Sequence, residues 1–284
     1  MPYRTNWHRL FGLMLADFFT GSPYSVELEK DLSIKKQLLD VVILRKGKGK
    51  FVGQLPDGFD NLAKHNLITF KSHHDTLEDW ALKELTGHYV NYRKQVSPSF
   101  ENLLPEKEFR LYAVTSRFPH ELAGSGNWKC IQDGVFDYQR GSDTIRVIVL
   151  RKLPDEEQNA GLHLLSAAPD KLSYGAAHYG RHSPETSTLI NRLYNGYQRE
   201  GMSMPYTMED FRKDYVKEHL EKLSPEERVE GLLPEQLRKV LPLDQLLKVL
   251  SPDERLAGLS PEEIDKLLRR HAAKSAKSKP KKKK

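Results

Sequence analysis

Gln37-Leu38-Leu39-Asp40-Val41-Val42-Ile43-Leu44 and Asn66-Leu67-Ile68-Thr69-Phe70-Lys71-Ser72 are the two stretches on which the reading of this chain turns. The first is a nearly continuous apolar run broken only by Asp40, which predicts a buried central strand over Leu38 to Leu44. The second predicts another strand over Asn66 to Lys71, with a lysine at its end. An acid and a lysine brought together on adjacent strands are what metal-assisted phosphodiester cleavage needs. The carboxylate holds a divalent ion that polarises phosphate and activates water, and the ammonium supports the developing charge.

Working outward, Trp7, Leu10, Phe11, Met14 and Phe18 recur at three- and four-residue steps, which predicts an amphipathic helix over Trp7 to Phe19, ended by Gly21 and Pro23. Val26, Leu28, Leu32 and Ile34 then alternate with Glu27, Glu29 and Asp31, a strand pattern that Lys30 interrupts. Lys46-Gly47-Lys48-Gly49-Lys50 reads as a turn. A long helix is expected over Thr76 to Lys94, with Leu77, Trp80, Ala81, Leu85 and Tyr89 roughly in register, followed by strands over Phe109 to Ser116 and Thr144 to Leu150. This succession predicts an α/β fold. After Ser166 the pattern becomes helical and looser, with one amphipathic helix over Met208 to Leu223.

Beyond it Leu223, Leu232, Leu241, Leu250 and Leu259 stand nine residues apart, and Pro225, Pro234, Pro252 and Pro261 follow four of them by two positions. In Ser224-Pro225-Glu226-Glu227 the serine suits a cap, the proline the first helical position and the glutamate a capping box. Ser251-Pro252-Asp253-Glu254 and Ser260-Pro261-Glu262-Glu263 repeat the pattern, so an array of short helical units is expected, able to meet a protein partner. The expected division is 1–165, 166–222, 223–271 and a disordered basic tail over 272–284.

The chain has 284 residues, 38% hydrophobic and 30% charged, enough for a real core. The net charge of +6 comes from seven lysines after Ala273; without them 38 basic residues face 39 acidic ones. Nucleic-acid binding therefore cannot be argued from overall charge, although the lysine tail suits polyanions without sequence preference. The single cysteine, Cys130, excludes an internal disulfide and fits a reducing compartment. It is expected to be structural. The early apolar run Leu10 to Phe19 is short and broken by Asp17, without signal-peptide or membrane-span character, so a cytoplasmic protein away from membranes is expected.

The order of helix, Asp40-bearing strand and Lys71-bearing strand followed by a helix resembles the PD-(D/E)XK nuclease superfamily. Within it, the chain is most similar to the bacterial recombination-promoting nuclease and transposase-like group, over roughly Trp7 to Leu153. The resemblance implies a restriction-endonuclease-like mixed sheet flanked by helices, here with the C-terminal helical repeats appended. It also implies an Mg²⁺- or Mn²⁺-dependent DNA endonuclease in which Asp40 ligates the metal and Lys71 is the catalytic lysine. The family expects an acid two positions before the lysine, where this chain has Thr69. A hydroxyl is a far weaker ligand for a hard cation than a carboxylate. Glu27 or Glu29 from the neighbouring strand, or Asp75 or Glu78 from the start of the next helix, are the replacements considered, with Glu27 taken to complete the shell. Thr69, Lys48 and Lys50 are the candidate substrate contacts, the last two within a lysine-glycine turn able to meet a phosphate backbone.

Each residue also has a plainer reading. Asp40 can pair with a nearby cation, Lys71 can reach solvent, and the lysine-glycine turn can simply be a solvated loop. His73 and His74 lie close to Lys71, but alternation along a strand would point them to opposite faces. His178 and His182 have helical ligand spacing, yet Gly175 and Gly180 argue against a helix there. The competing function is a nuclease fold without catalysis that binds nucleic acid or protein.

Overall fold

Burial on both faces of three adjacent strands builds the molecule. The structure is a computed structural model and describes residues 6–31, 38–124, 127–233, 235–236, 239, 251 and 259–277. Helix α1 (Trp7–Phe18) leads into β1 (Tyr24–Asp31), β2 (Leu38–Arg45) and β3 (His65–Lys71), an antiparallel meander. Helix α2 (Asp79–Val96) crosses to β4 (Phe109–Thr115), which lies parallel to β3. After α3 (His120–Ala123) come β5 (Asn127–Gln132), β6 (Val135–Arg140) and β7 (Asp143–Val149). The sheet is seven-stranded and mixed, in the order β1-β2-β3-β4-β7-β6-β5. Leu32 and Ile34, expected to extend β1, lie outside the described residues.

Along β3 and β4, Ile68, Phe70, Tyr112 and Val114 enter one core, and Leu67, Leu111 and Ala113 the other. Successive strand residues point to opposite faces, so the sheet is covered on both. The first core packs against α1, where the Phe11 ring stacks on Phe70 at 4.4 Å. The second packs against α2 through Ala81, Leu82, Leu85, Tyr89 and Tyr92. Trp80, expected on that buried face, is 66% exposed.

The expected boundary at residue 165 does not separate two bodies. Helices α4 (Ala160–His163), α5 (Pro169–His178) and α6 (Thr186–Arg199) contribute Leu162, Leu172, Leu189 and Leu193 to the same core as α1 and the sheet. Buried Asp17 of α1 accepts hydrogen bonds from Tyr179 Oη at 2.7 Å and Thr186 Oγ1 at 2.8 Å. Buried Glu218, on α7 (Met208–His219), accepts from Ser187 N at 2.8 Å, placing a carboxylate against the first turn of α6. The chain divides into compact units Met1–Glu221 and Lys222–Lys284, next to the boundary expected between 222 and 223.

In the second unit, α8 (Pro225–Val229) starts with the expected capping box between Ser224 and Glu227. Ser260 and Glu263 exchange the same pair of bonds at the start of α9 (Pro261–Lys277). Pro234, Leu241, Leu250 and Pro252 lie outside the described residues. The segment expected to be disordered from residue 272 is helical through Lys277, where alanine and lysine are good helix formers; residues 278–284 lie outside the description. Among the described residues no helix is long and apolar enough to cross a membrane. Cys130, expected to be structural, is exposed.

The β5–β6 hairpin, which sequence reading missed, turns through Asp133-Gly134, with Gly134 at φ +74°. A Cβ on Gly134 would lie 2.7 Å from Leu153 N and 2.8 Å from Lys152 C, both backbone atoms. Gly141 has a similar φ of +58°, but a Cβ there meets nothing within 4 Å. Gly134→Ala is therefore expected to lower unfolding stability by about 2 kcal/mol or more, against about 1 kcal/mol for Gly141→Ala. Urea denaturation of the two variants checks this, and equal losses would show that the hairpin is not seated against Leu153 as described.

Candidate active site

The described β2–β3 pairs run from Leu44↔His65 to Val41↔Ile68. Past that point Asp40 and Thr69 face each other across the strands. Asp40 Oδ2 accepts the Phe70 backbone N–H at 2.8 Å and the Thr69 hydroxyl at 3.0 Å. A side chain thus satisfies a backbone donor beyond the last strand pair. Strand alternation is interrupted here as well: Leu39 packs in the second core and Val41 in the first.

The first turn of α1 supplies the third partner. Asn6 caps the helix by accepting from Arg9 N at 3.0 Å, and His8 Nδ1 lies 2.9 Å from Asp40 Oδ1. An ionised carboxylate only accepts, so Nδ1 is the donor. His8 Nε2 faces Asp75 Oδ2 at 3.8 Å, so the imidazole stands between two carboxylates. Its hydrogen bond to Asp40 raises the His8 pKa against the opposing effects of burial and the Lys71 charge. Burial pushes the Asp40 carboxyl up, but His8, Phe70 N and Thr69 together hold it below the ordinary carboxylate value.

Strand β3 ends at Lys71, and Ser72 to Asp75 form a turn: Asp75 N donates to Ser72 O at 3.1 Å, and Ser72 Oγ to Asp75 Oδ2 at 3.0 Å. Alternation therefore does not apply to His73 and His74. Both meet Glu200, the residue that ends α6, with His73 Nε2 2.9 Å from Oε2 and His74 Nε2 3.1 Å from Oε1. Trp7 Nε1 donates to Glu200 Oε1 at 2.8 Å. Burial lowers the His73 pKa, with Glu200 opposing that effect, and the Nδ1 of His73 is buried without a hydrogen-bond partner. Burial would raise Glu200, but its bonds from Trp7, His74 and His73 lower it.

Asp40, Thr69 and Lys71 thus lie at one end of the sheet, with Asp75 close by. Glu27 sits opposite Val42 on β1, and its charge acts on Tyr92 of α2. Glu78 is the residue before α2, and the Glu29 side chain lies outside the described part. Lys48 and Lys50, expected as substrate contacts, lie away from Asp40. Their loop leaves the end of β2 opposite Asp40, is tied to Pro23 O through Lys46 N and Gly47 N, and places Lys50 in a cleft of about 430 Å³ with Phe18 and Tyr179. His182 lines the same cleft, as does His178, which ends a helix despite Gly175.

Sequence reasoning missed His8, Trp7 as a polar partner, and Glu200. Only His8 left a signal, a polar residue in the first turn of α1 beside its buried stripe.

The His8–Asp40 pair gives a pH signature. Asp40, with its pKa lowered, contributes stability above the ordinary value of 3.8 that is lost as pH falls; His8, with its pKa raised, contributes below 6.5 and loses it as pH rises through its folded value. Lys71 opposes the charged form of His8, Asp75 favours it, and His88 of α2 feels the charge of Asp40. The melting-temperature gap between wild type and His8→Ala is expected to be widest between pH 3.8 and 6.5 and to narrow on both sides. A gap independent of pH would show that the pair is not ionic.

No family model matches the chain, and no match was found among curated proteins or solved structures.

Proposed function

We propose that the chain is a DNA phosphodiester hydrolase of the PD-(D/E)XK kind, an endonuclease assisted by Mg²⁺ or Mn²⁺. The carrying observation is the Asp40 carboxylate, held by Thr69, Phe70 N and His8 one strand away from Lys71. A carboxylate offers about four lone-pair sites, and three bonds to Asp40 leave room for a further contact. Asp40 and Asp75, the carboxylates on either side of the His8 imidazole, are the oxygen donors that would hold a hard cation, with His8 neutral when the ion is bound. When bound, such an ion polarises phosphate and acidifies water. Lys71 offers its ammonium to the phosphate oxygens on which charge develops. His8, oriented through Nδ1, presents Nε2 as the atom that takes or gives a proton at the substrate oxygen.

Thr69 favours a second reading, a binding module, because its hydroxyl donates to Asp40 and brings no charge. In that reading DNA is retained but not cut.

Asp40→Asn and Lys71→Ala are each expected to slow Mg²⁺- or Mn²⁺-dependent plasmid nicking by about 100-fold or more, and His8→Ala by at least about 100-fold. Thr69→Asp should raise cleavage by adding the missing carboxylate. Wild-type-like cleavage by purified Asp40→Asn and Lys71→Ala would remove the assignment. DNA binding without cleavage in any form would leave the binding module.

A further inference from the structure

The turn after β3 and the end of α6 bring together side chains that the proposed hydrolysis does not use. His73, His74 and Glu200 each offer a ligand atom, and these atoms lie within 4.8 Å of one another. The tight turn at Ser72–Asp75 directs two consecutive imidazoles toward one carboxylate, their ring centroids 4.0 Å apart.

We propose that His73, His74 and Glu200 form a binding site for one transition-metal ion, Zn²⁺ in first place, separate from the Asp40 carboxylate. Two imidazoles and one carboxylate make a three-ligand zinc set that leaves a fourth position open. Nitrogen donors select such ions over Mg²⁺, which prefers oxygen. Tetrahedral Zn²⁺ with bonds of about 2.0–2.1 Å holds its ligand atoms about 3.3–3.4 Å apart. At present His73 Nε2 lies 2.9 Å from Oε2 and His74 Nε2 3.1 Å from Oε1, so the carboxylate must turn to offer one oxygen between the two imidazoles, or hold the ion with both. The Trp7 indole N–H donates to Oε1, the oxygen that His74 meets, and fixes the orientation of the carboxylate, as the outer partners of metal ligands do. The C-terminal end of α6, where Glu200 sits, is the negative end of a helix dipole and favours a cation. His73 is nearly enclosed, with 11% of its side chain exposed, whereas His74 at 37% keeps one side of the site open to solvent.

The test uses the full chain, stripped of metal with a chelator and titrated with Co²⁺ as a spectroscopic stand-in, then with Zn²⁺. One equivalent of Co²⁺ should give visible ligand-field absorption that Zn²⁺ abolishes, and Zn²⁺ should raise the melting temperature. Glu200→Gln keeps an oxygen acceptor for Trp7, and His74→Ala changes a partly exposed side chain. Each should bind at least about 100-fold more weakly, since loss even of an outer partner costs 10–100-fold. Circular dichroism without metal checks that each variant is folded, and either one alone suffices for the comparison. Asp40→Asn should keep the Co²⁺ absorption that Zn²⁺ abolishes, whether or not the chain proves to be a nuclease. The inference is overturned if wild type binds no stoichiometric Co²⁺ or Zn²⁺, if folded Glu200→Gln or His74→Ala retains wild-type affinity, or if binding is lost in Asp40→Asn instead.

Discussion

A carboxylate that accepts a backbone amide where two strands part company is the constraint from which the rest follows. Asp40 takes the Phe70 N–H beyond the last described β2–β3 pair, and without it that donor would lack this partner. Leaving a buried donor unpaired costs about 1–3 kcal/mol, and bonds to a charged acceptor contribute more than neutral ones. Because Asp40 is nearly buried, its charge requires company, and His8 and Thr69 supply it. The position of α1 over β2 and β3 is thus fixed twice, by the Phe11–Phe70 stack in the core and by the His8–Asp40 contact at the rim.

That arrangement explains why polar chemistry gathers at one end of an otherwise apolar sheet. Strand β3 is buried almost along its whole length and emerges only at Lys71. The turn that follows carries Asp75 toward His8, and His73 and His74 toward Glu200. Two neighbouring residues of α1 serve different groups: Trp7 bonds to Glu200 and His8 to Asp40. Helix α1 is therefore both a core element and the link between two polar constellations.

Much of the frame was legible in the sequence because burial on both faces leaves apolar runs, as in Leu38 to Leu44 and Asn66 to Phe70. The pairing of Asp40 with Thr69 was not, since composition within each strand says nothing of the register between them. Lys48 and Lys50 were read as substrate contacts from the lysine-glycine turn alone, and the direction of β2 carries them to its far end. The β5–β6 hairpin escaped notice because Lys129 to Gln132 are exposed and lack apolar alternation; its clearest trace was the Asp133-Gly134 pair. After Ser166 only the helix from Met208 was legible as such; Gly175 and Gly180 argued against the one that ends at His178, and none read as part of the core. Their anchors, such as Tyr179 to Asp17 across 162 residues, are long-range contacts without a local signature.

The bond from Trp7 to Glu200 spans 193 positions of the chain. Domains are made from the N-terminus onward, at about 5–20 residues per second. The sheet from β1 to β7 is thus complete in covalent form well before Glu200 exists, leaving the indole of Trp7 and the two imidazoles after Lys71 without their shared acceptor. A nascent or prematurely ended chain could hold the Asp40 contacts and still lack the neighbouring group. The order of synthesis therefore separates in time two constellations that lie side by side in the finished protein.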